Sequence, residues 1–229
     1  MKLSFRRRAA AGLLLALGAF GAARAQPVNA PPPSPIAAPE AASAPLSFSA
    51  RKVYEQARSQ LVQIRTVLKG GGSQTSVGSG FLVSREGHIV TNFHVVSQAA
   101  LKPEVHDLVY VTADGREAPL QILQLDVLND LALLKAADTP GRTFDALGFR
   151  TESRPLSQGE RIYSLGNPLD VGFAVAEGTY NGVVKRGFYP QIFFGGALSA
   201  GMSGGPALDQ SGRVVGINVA RRVDGEQVS

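Results

Sequence analysis

Three short stretches of the chain carry residue types that together can break a bond. The first is Gly201-Met202-Ser203-Gly204-Gly205-Pro206, which follows an apolar run. A serine hydroxyl is a weak nucleophile, so it needs a tight turn that exposes it beside a base, and backbone donors facing the carbonyl oxygen it attacks. Glycines on both sides allow this, because Gly201 can take backbone angles closed to other residues and present its N–H with that of Ser203 as an oxyanion hole. A Gly-x-Ser-Gly-Gly run fits a flexible turn equally well. The second stretch is Ile89-Val90-Thr91-Asn92-Phe93-His94-Val95-Val96, where a histidine follows a β-rich run and precedes a short apolar turn. Imidazole titrates near neutrality and serves as a general base, but a single histidine is also an ordinary packed or hydrogen-bonded residue. The third is Asn129-Asp130-Leu131-Ala132-Leu133-Leu134-Lys135. An aspartate opening an apolar run reads as a cap or turn residue. At the edge of a core its carboxylate requires a donor, and His94 is a candidate.

Positioning these residues falls to a chain whose hydrophobic pattern is mostly of period two. Val53, Ala57 and Leu61 recur every four residues after serines able to cap, which predicts a short helix. Beyond residue 60, β-rich runs at 61–67, 77–84, 88–92, 107–113, 119–125 and 131–135 predict six strands, with turns at Gly70-Gly71-Gly72, Glu86-Gly87 and Asp114-Gly115. Six such strands fit one small barrel. A second series at 161–165, 173–186, 191–197, 205–208 and 213–220 follows a looser stretch at 138–158. Two consecutive all-β units are expected, without the helix spacing a parallel sheet needs. His88 and His106 have no motif around them and read as surface residues of strand or loop.

Composition narrows the function classes. The chain has 229 residues with 23 basic and 18 acidic side chains, a formal charge of +5. Lys2, Arg6, Arg7, Arg8 and Arg24 lie in the first 25 residues, which hold no acid, so the remainder balances at 18 against 18. Clustered excess charge for a nucleic-acid backbone is therefore missing from the expected fold. With 0 cysteines there is no disulfide, thiolate metal site or cysteine nucleophile, and 3 separated histidines do not make a dedicated zinc site. The basic start, the apolar run at 9–23 and Ala23-Arg24-Ala25 read as a signal peptide over 1–25, with Gln26 as the first mature residue. That run is shorter than the roughly 18 residues of a membrane span, so no stable span is expected after its removal. The paired arginines also permit a twin-arginine route. Residues 26–48 read as an Ala/Pro-rich linker, with 7 of the 14 prolines between Pro27 and Pro45.

Taken together, Gly78-Ser79-Gly80-Phe81, Thr91-Asn92-Phe93-His94-Val95-Val96, Asp130-Leu131-Ala132-Leu133-Leu134 and the Gly201 to Pro206 run resemble the chymotrypsin-like serine proteases, specifically their bacterial HtrA-like (Deg) branch. The order His, Asp, Ser is that family's and differs from the orders of subtilisins and α/β-hydrolases. The resemblance implies an all-β fold of two six-stranded barrels over 49–229, the first at about 61–137 and the second at about 159–229, with the site in the cleft between them. It implies a triad of His94, Asp130 and Ser203, with Asp126 the competing carboxylate, and an oxyanion hole of the Gly201 and Ser203 amides. Ala197 would form the base of the primary specificity pocket, walled by Asn218, Val219 and Ala220, and a small apolar base favours small aliphatic side chains over cations. The implied activity is exported, periplasmic or secreted, endopeptidase action on unfolded or damaged polypeptides, without a cofactor. The alternative is a catalytically silent peptide-binding relative. The resemblance also implies a homotrimer, for which Phe81, Phe188, Tyr189, Phe193 and Phe194 are contact candidates, although aromatic residues in strands are more often ordinary core. The sequence departs from the branch in carrying Met202 where asparagine is usual, in lacking a PDZ domain, and in leaving only 226–229 to close the second barrel.

Overall fold

The computed structural model describes residues 45–137, 141–151, 153–167, 172–186, 189–223 and 226–228. The signal-peptide segment and nearly all of the linker lie outside them. Helix α1 (Phe48–Ala57) forms as its spacing predicts, its start capped by Ser47, whose Oγ accepts the Ala50 N–H at 3.1 Å. Ala50, Val53 and Ala57 are its buried face, and they share a core with Leu61 across a 3₁₀ turn at Arg58–Gln60.

Six antiparallel strands follow: β1 (Leu61–Leu68), β2 (Gln74–Leu82), β3 (His88–Thr91), β4 (His106–Thr112), β5 (Glu117–Asp126) and β6 (Leu131–Ala136). They close into a barrel in the order β1-β2-β3-β6-β5-β4, which leaves no strand edge unpaired. Alternate residues point inward, so Val62, Ile64, Leu108, Tyr110, Ala132, Leu134 and Ala136 fill the interior. Helix α2 (Phe93–Leu101) stands where the sequence suggested only a short turn. Val95, Val96 and Ala99 lie on one helical face and join the barrel core. That burial outweighs the modest helix propensity of adjacent β-branched valines.

Among the described residues the second half is a five-stranded antiparallel sheet, the incomplete second barrel expected from the few residues left to close it. Strands β7 (Arg161–Gly166), β8 (Ala174–Arg186), β9 (Tyr189–Phe194), β10 (Pro206–Leu208) and β11 (Val214–Ile217) run in the order β11-β10-β7-β8-β9. The remaining segments, β12 (Arg221–Val223) and β13 (Glu226–Val228), pair with each other as a separate hairpin instead of joining the sheet edges. An apolar core built from α1, Phe81 of β2, Tyr163 and Leu165 of β7, Leu208 and Val214 packs the sheet against the barrel. Phe81, fully buried there, and Phe194, 7% exposed in a third core with Ile162 and Met202, are therefore packing residues, which corrects their reading as subunit contacts. Phe193 is exposed, while Phe188 and the Tyr189 side chain lie outside the described parts.

The segment between the halves is pinned by Arg150. Its guanidinium donates to both carboxylate oxygens of Glu160, to Asp209 at 3.3 Å and to the Pro155 carbonyl at 3.0 Å. Hydrogen bonds from Arg150 first, then from the Ser157 N–H, hold the Glu160 carboxyl below the usual glutamate range. Among the described residues no helix is long and apolar enough to cross a membrane.

Candidate active site

Asp130 ends the tight turn between β5 and β6. Asp126 builds that turn: its Oδ1 accepts the Asn129 N–H at 3.0 Å and its Oδ2 the Asn129 side-chain amide at 2.6 Å. These bonds lower the Asp126 pKa and engage its carboxylate locally, away from His94. Asp130 itself has φ 53, the one described non-glycine residue in the left-handed region, which aspartate and asparagine tolerate better than most. Its carbonyl accepts the Asn92 side-chain amide at 2.9 Å and the Phe93 N–H at 3.1 Å. Its carboxylate accepts the His94 N–H at 3.0 Å on Oδ1 and meets His94 Nδ1 at 2.8 Å on Oδ2. The junction of β3 and α2 thus holds Asp130 at four points.

A carboxylate only accepts, so the His94 Nδ1 carries a proton, and in the neutral form of the ring Nε2 keeps the lone pair. The Asp130 side chain is 10% exposed and the His94 side chain 44%, so a buried carboxylate orients an imidazole that solvent and ligands reach. This is the geometry that a histidine general base requires.

Ser203 comes from the other half, after a 3₁₀ turn at Ala200–Met202 and before β10. Met202 N–H donates to the Ser199 carbonyl at 2.9 Å, and Gly205 N–H to the Met202 carbonyl at 3.0 Å, so the loop folds back twice around the serine. Gly204 has φ +84, and a Cβ there would lie 2.2 Å from both the Ser79 carbonyl oxygen and Thr91 Oγ1, so only glycine fits. The Ser203 hydroxyl accepts the Ala220 N–H at 3.1 Å and reaches the Ala220 carbonyl at 3.4 Å; no hydrogen bond joins it to His94.

The residues named for the pocket divide. Ala197 is exposed in the loop after β9. Asn218 is buried at 3% exposure, and its side-chain amide donates to the Leu165 carbonyl at 2.9 Å. Its backbone bonds Gly204 and Gly205, so Asn218 braces the nucleophile loop instead of presenting its side chain as a pocket wall. Val219 and Ala220 are half-buried between β11 and β12. Three supporting residues that the sequence reading left without a role are Asn92, Thr91 and Ser79. The first donates to Asp130, and the Thr91 hydroxyl donates to the Ser79 carbonyl at 2.7 Å. Their positions inside the matched motifs were the only sequence signal.

A closed antiparallel barrel carrying a His–Asp pair, joined to a second sheet carrying a glycine-bracketed serine, defines a class of protein. Residues 78–217 match the model of the trypsin-like peptidase domain, and the chain belongs to that family. It is 36% identical over 147 residues to a probable periplasmic serine endoprotease, DegP-like, of Brucella suis biovar 1 (strain 1330), covering 62% of this chain and 27% of that protein. It is 31% identical over 151 residues to the chloroplastic protease Do-like 1 of Arabidopsis thaliana, covering 62% of this chain and 33% of the relative. Among solved structures, that of Deg5 superposes with a TM-score of 0.66 at 26% identity, covering 76% of this chain and 87% of Deg5. The HtrA-like resemblance of the motifs agrees with these relatives, and the chain spans 27% and 33% of the length of the two curated ones.

Proposed function

We propose that the protein is a serine endopeptidase of unfolded polypeptides acting outside the cytoplasm. The observation that carries this reading is the His94–Asp130 pair, with Nδ1 at 2.8 Å from the carboxylate and its backbone N–H tied to the same group. In the proposed reaction, Ser203 Oγ leaves Ala220 and attacks a peptide carbonyl carbon while His94 Nε2 takes its proton. The carbonyl oxygen, now an oxyanion, accepts hydrogen bonds from the Gly201 and Ser203 N–H groups. The C–N bond then breaks, and His94 returns the proton to the leaving amine. Water repeats the sequence on the acyl-enzyme. Asp130 stabilises the imidazolium throughout. The N-terminal signal pattern and the word periplasmic in the Brucella relative's name support an envelope location.

The exposed Ala197, without charge, supports cleavage after small aliphatic residues, since burying a valine-sized side chain is worth about 1.5–3 kcal/mol. A second reading, a silent peptide-binding protein, is favoured by one observation: the Ser203 hydroxyl lies on the Ala220 backbone and not on His94. A single experiment separates the two. The mature protein and Ser203→Ala are treated with a fluorophosphonate and with unfolded casein, and the cut sites are mapped by mass spectrometry. Labelling and cleavage of casein after Val or Ala by the first protein alone are expected. Casein binding without labelling would establish the silent reading, and cleavage by Ser203→Ala would remove Ser203 from the reaction.

A further inference from the structure

We infer that Ser79 of β2 is a positioning residue for the nucleophile loop, holding the peptide planes that aim the Ser203 amide. Resting on the peptidase reading above, the inference deepens it by naming a residue outside the triad and on the opposite half of the molecule. Ser79 is 1% exposed, and each of its polar atoms is engaged. Its hydroxyl donates to the Gly201 carbonyl at 2.7 Å and accepts the Asn167 N–H at 2.8 Å. Its own N–H donates to the Ser203 carbonyl at 2.8 Å, and its carbonyl accepts the Thr91 hydroxyl at 2.7 Å.

The geometry follows from peptide planarity. The Gly201 carbonyl belongs to the unit joining residues 201 and 202, and the Ser203 carbonyl to the unit joining 203 and 204. One residue thus fixes the planes on either side of the unit that carries the Ser203 N–H. Planar units leave only φ and ψ free, so two fixed neighbours restrict the middle plane strongly. The plane bearing the Gly201 N–H adjoins the first fixed plane through the Gly201 Cα. Without the Ser79 hydroxyl, the buried Gly201 carbonyl has no donor and the Asn167 N–H no acceptor among the described residues. A buried carbonyl without a donor turns to find one, and it carries its plane with it.

The Ser79 backbone bond to Ser203 survives Ser79→Ala, so the loop stays attached while one of its two anchors is lost. Removing an oxyanion donor outright costs roughly a hundredfold to a thousandfold in kcat. Misaiming one costs less, about tenfold to a hundredfold, with KM unchanged because the donor acts on the transition state. The test uses Ser79→Ala and Ser79→Cys, which keeps a weak donor of similar size, beside wild type and Ser203→Ala. Three readouts are taken: kcat and KM on a peptide ester, inhibition by a peptide aldehyde that forms a tetrahedral adduct, and the 1H–15N amide shifts of Gly201 and Ser203. The expected result is a fall in kcat matched by an equal loss of aldehyde affinity, with both amide shifts moved and Ser79→Cys intermediate. Wild-type kcat in folded Ser79→Ala, or in Ser79→Cys where the alanine variant fails to fold, overturns the proposal. Unmoved amide shifts overturn it independently of any turnover. Wild type no more active than Ser203→Ala is a failure of the peptidase reading alone, and in that event the amide shifts still decide the role of Ser79.

Discussion

Replacing Asp130 by asparagine tests the general-base assignment with little change of shape. Asparagine tolerates the φ of 53 that this position requires, so the turn is kept. The carboxylate presents two acceptors to two donors, the His94 N–H at 3.0 Å and Nδ1–H at 2.8 Å. An amide presents one acceptor and one donor. If its oxygen stays on the backbone N–H, its NH2 faces Nδ1, which must then accept, and the ring proton moves to Nε2. That tautomer has no lone pair with which to take the serine proton. The reverse orientation keeps the productive tautomer but sets the NH2 against the His94 N–H, leaving a partly buried donor unpaired at about 1–3 kcal/mol. A charge-assisted hydrogen bond to the imidazolium is lost as well, about 1.5–3 kcal/mol. The sum, about 2.5–6 kcal/mol, corresponds to roughly seventyfold to twenty-five-thousandfold in kcat. Steady-state cleavage of a peptide ester gives kcat, circular dichroism reports the fold, and 15N shifts of the His94 ring report the tautomer. A folded variant that keeps more than a tenth of the wild-type kcat would refute the chain of reasoning.

Further expectations concern the scaffold. Gly204→Ala drives a methyl into the Ser79 carbonyl and Thr91 Oγ1 at a positive φ, so urea denaturation should show a loss of about 3 kcal/mol or more. A loss under 1 kcal/mol would mean that the loop yields easily. Glu160→Gln should cost about 1–3 kcal/mol at pH 7, because it leaves the buried Arg150 guanidinium short of a charge partner. The folded carboxyl titrates below its unfolded value, so its contribution is full above the ordinary glutamate range of about 4.3 and is lost as pH falls through the folded pKa. The stability gap between wild type and variant should therefore narrow when the urea titration is repeated at about pH 3, and an unchanged gap would count against the ion pair.

Much of the scaffold was legible because it rests on local periodicity. The spacing of Val53 and Ala57 after capping serines and the alternation of β4 and β6 each reflect burial against one core, and burial writes a period into the sequence, although Leu61, read with the helix, opens β1. Helix α2 was not read, because Val95 and Val96 continue a β-branched run and its N-cap residue, Asn92, turns its side chain to the Asp130 carbonyl instead of the helix start. The hairpin of β12 and β13 was missed for a different reason. Which strand a segment pairs with depends on partners distant in sequence, and Arg221 to Val223 pairs equally well on paper with a sheet edge or with its neighbour. The triad candidates stood out by residue type and order. Their supports did not, since the bonds from the Ser79 hydroxyl join positions separated by 122 and 88 residues and leave no local trace.

That same separation bears on how the molecule comes into being. His94 and Asp130 are 36 residues apart and both belong to a barrel completed by residue 136, so loop closure is short and this half can be assembled while the rest of the chain is still unmade. The nucleophile loop finds its place only when it docks on β2, across a span more than three times longer. On the proposed peptidase reading, a chain in which only the barrel has formed carries an oriented imidazole and no aimed hydroxyl, and so does not cut its neighbours while unfolded chains are most abundant. Pulsed hydrogen exchange during refolding should protect the β1 to β6 amides before that of Ser79, with reactivity towards fluorophosphonate emerging together with the Ser79 protection.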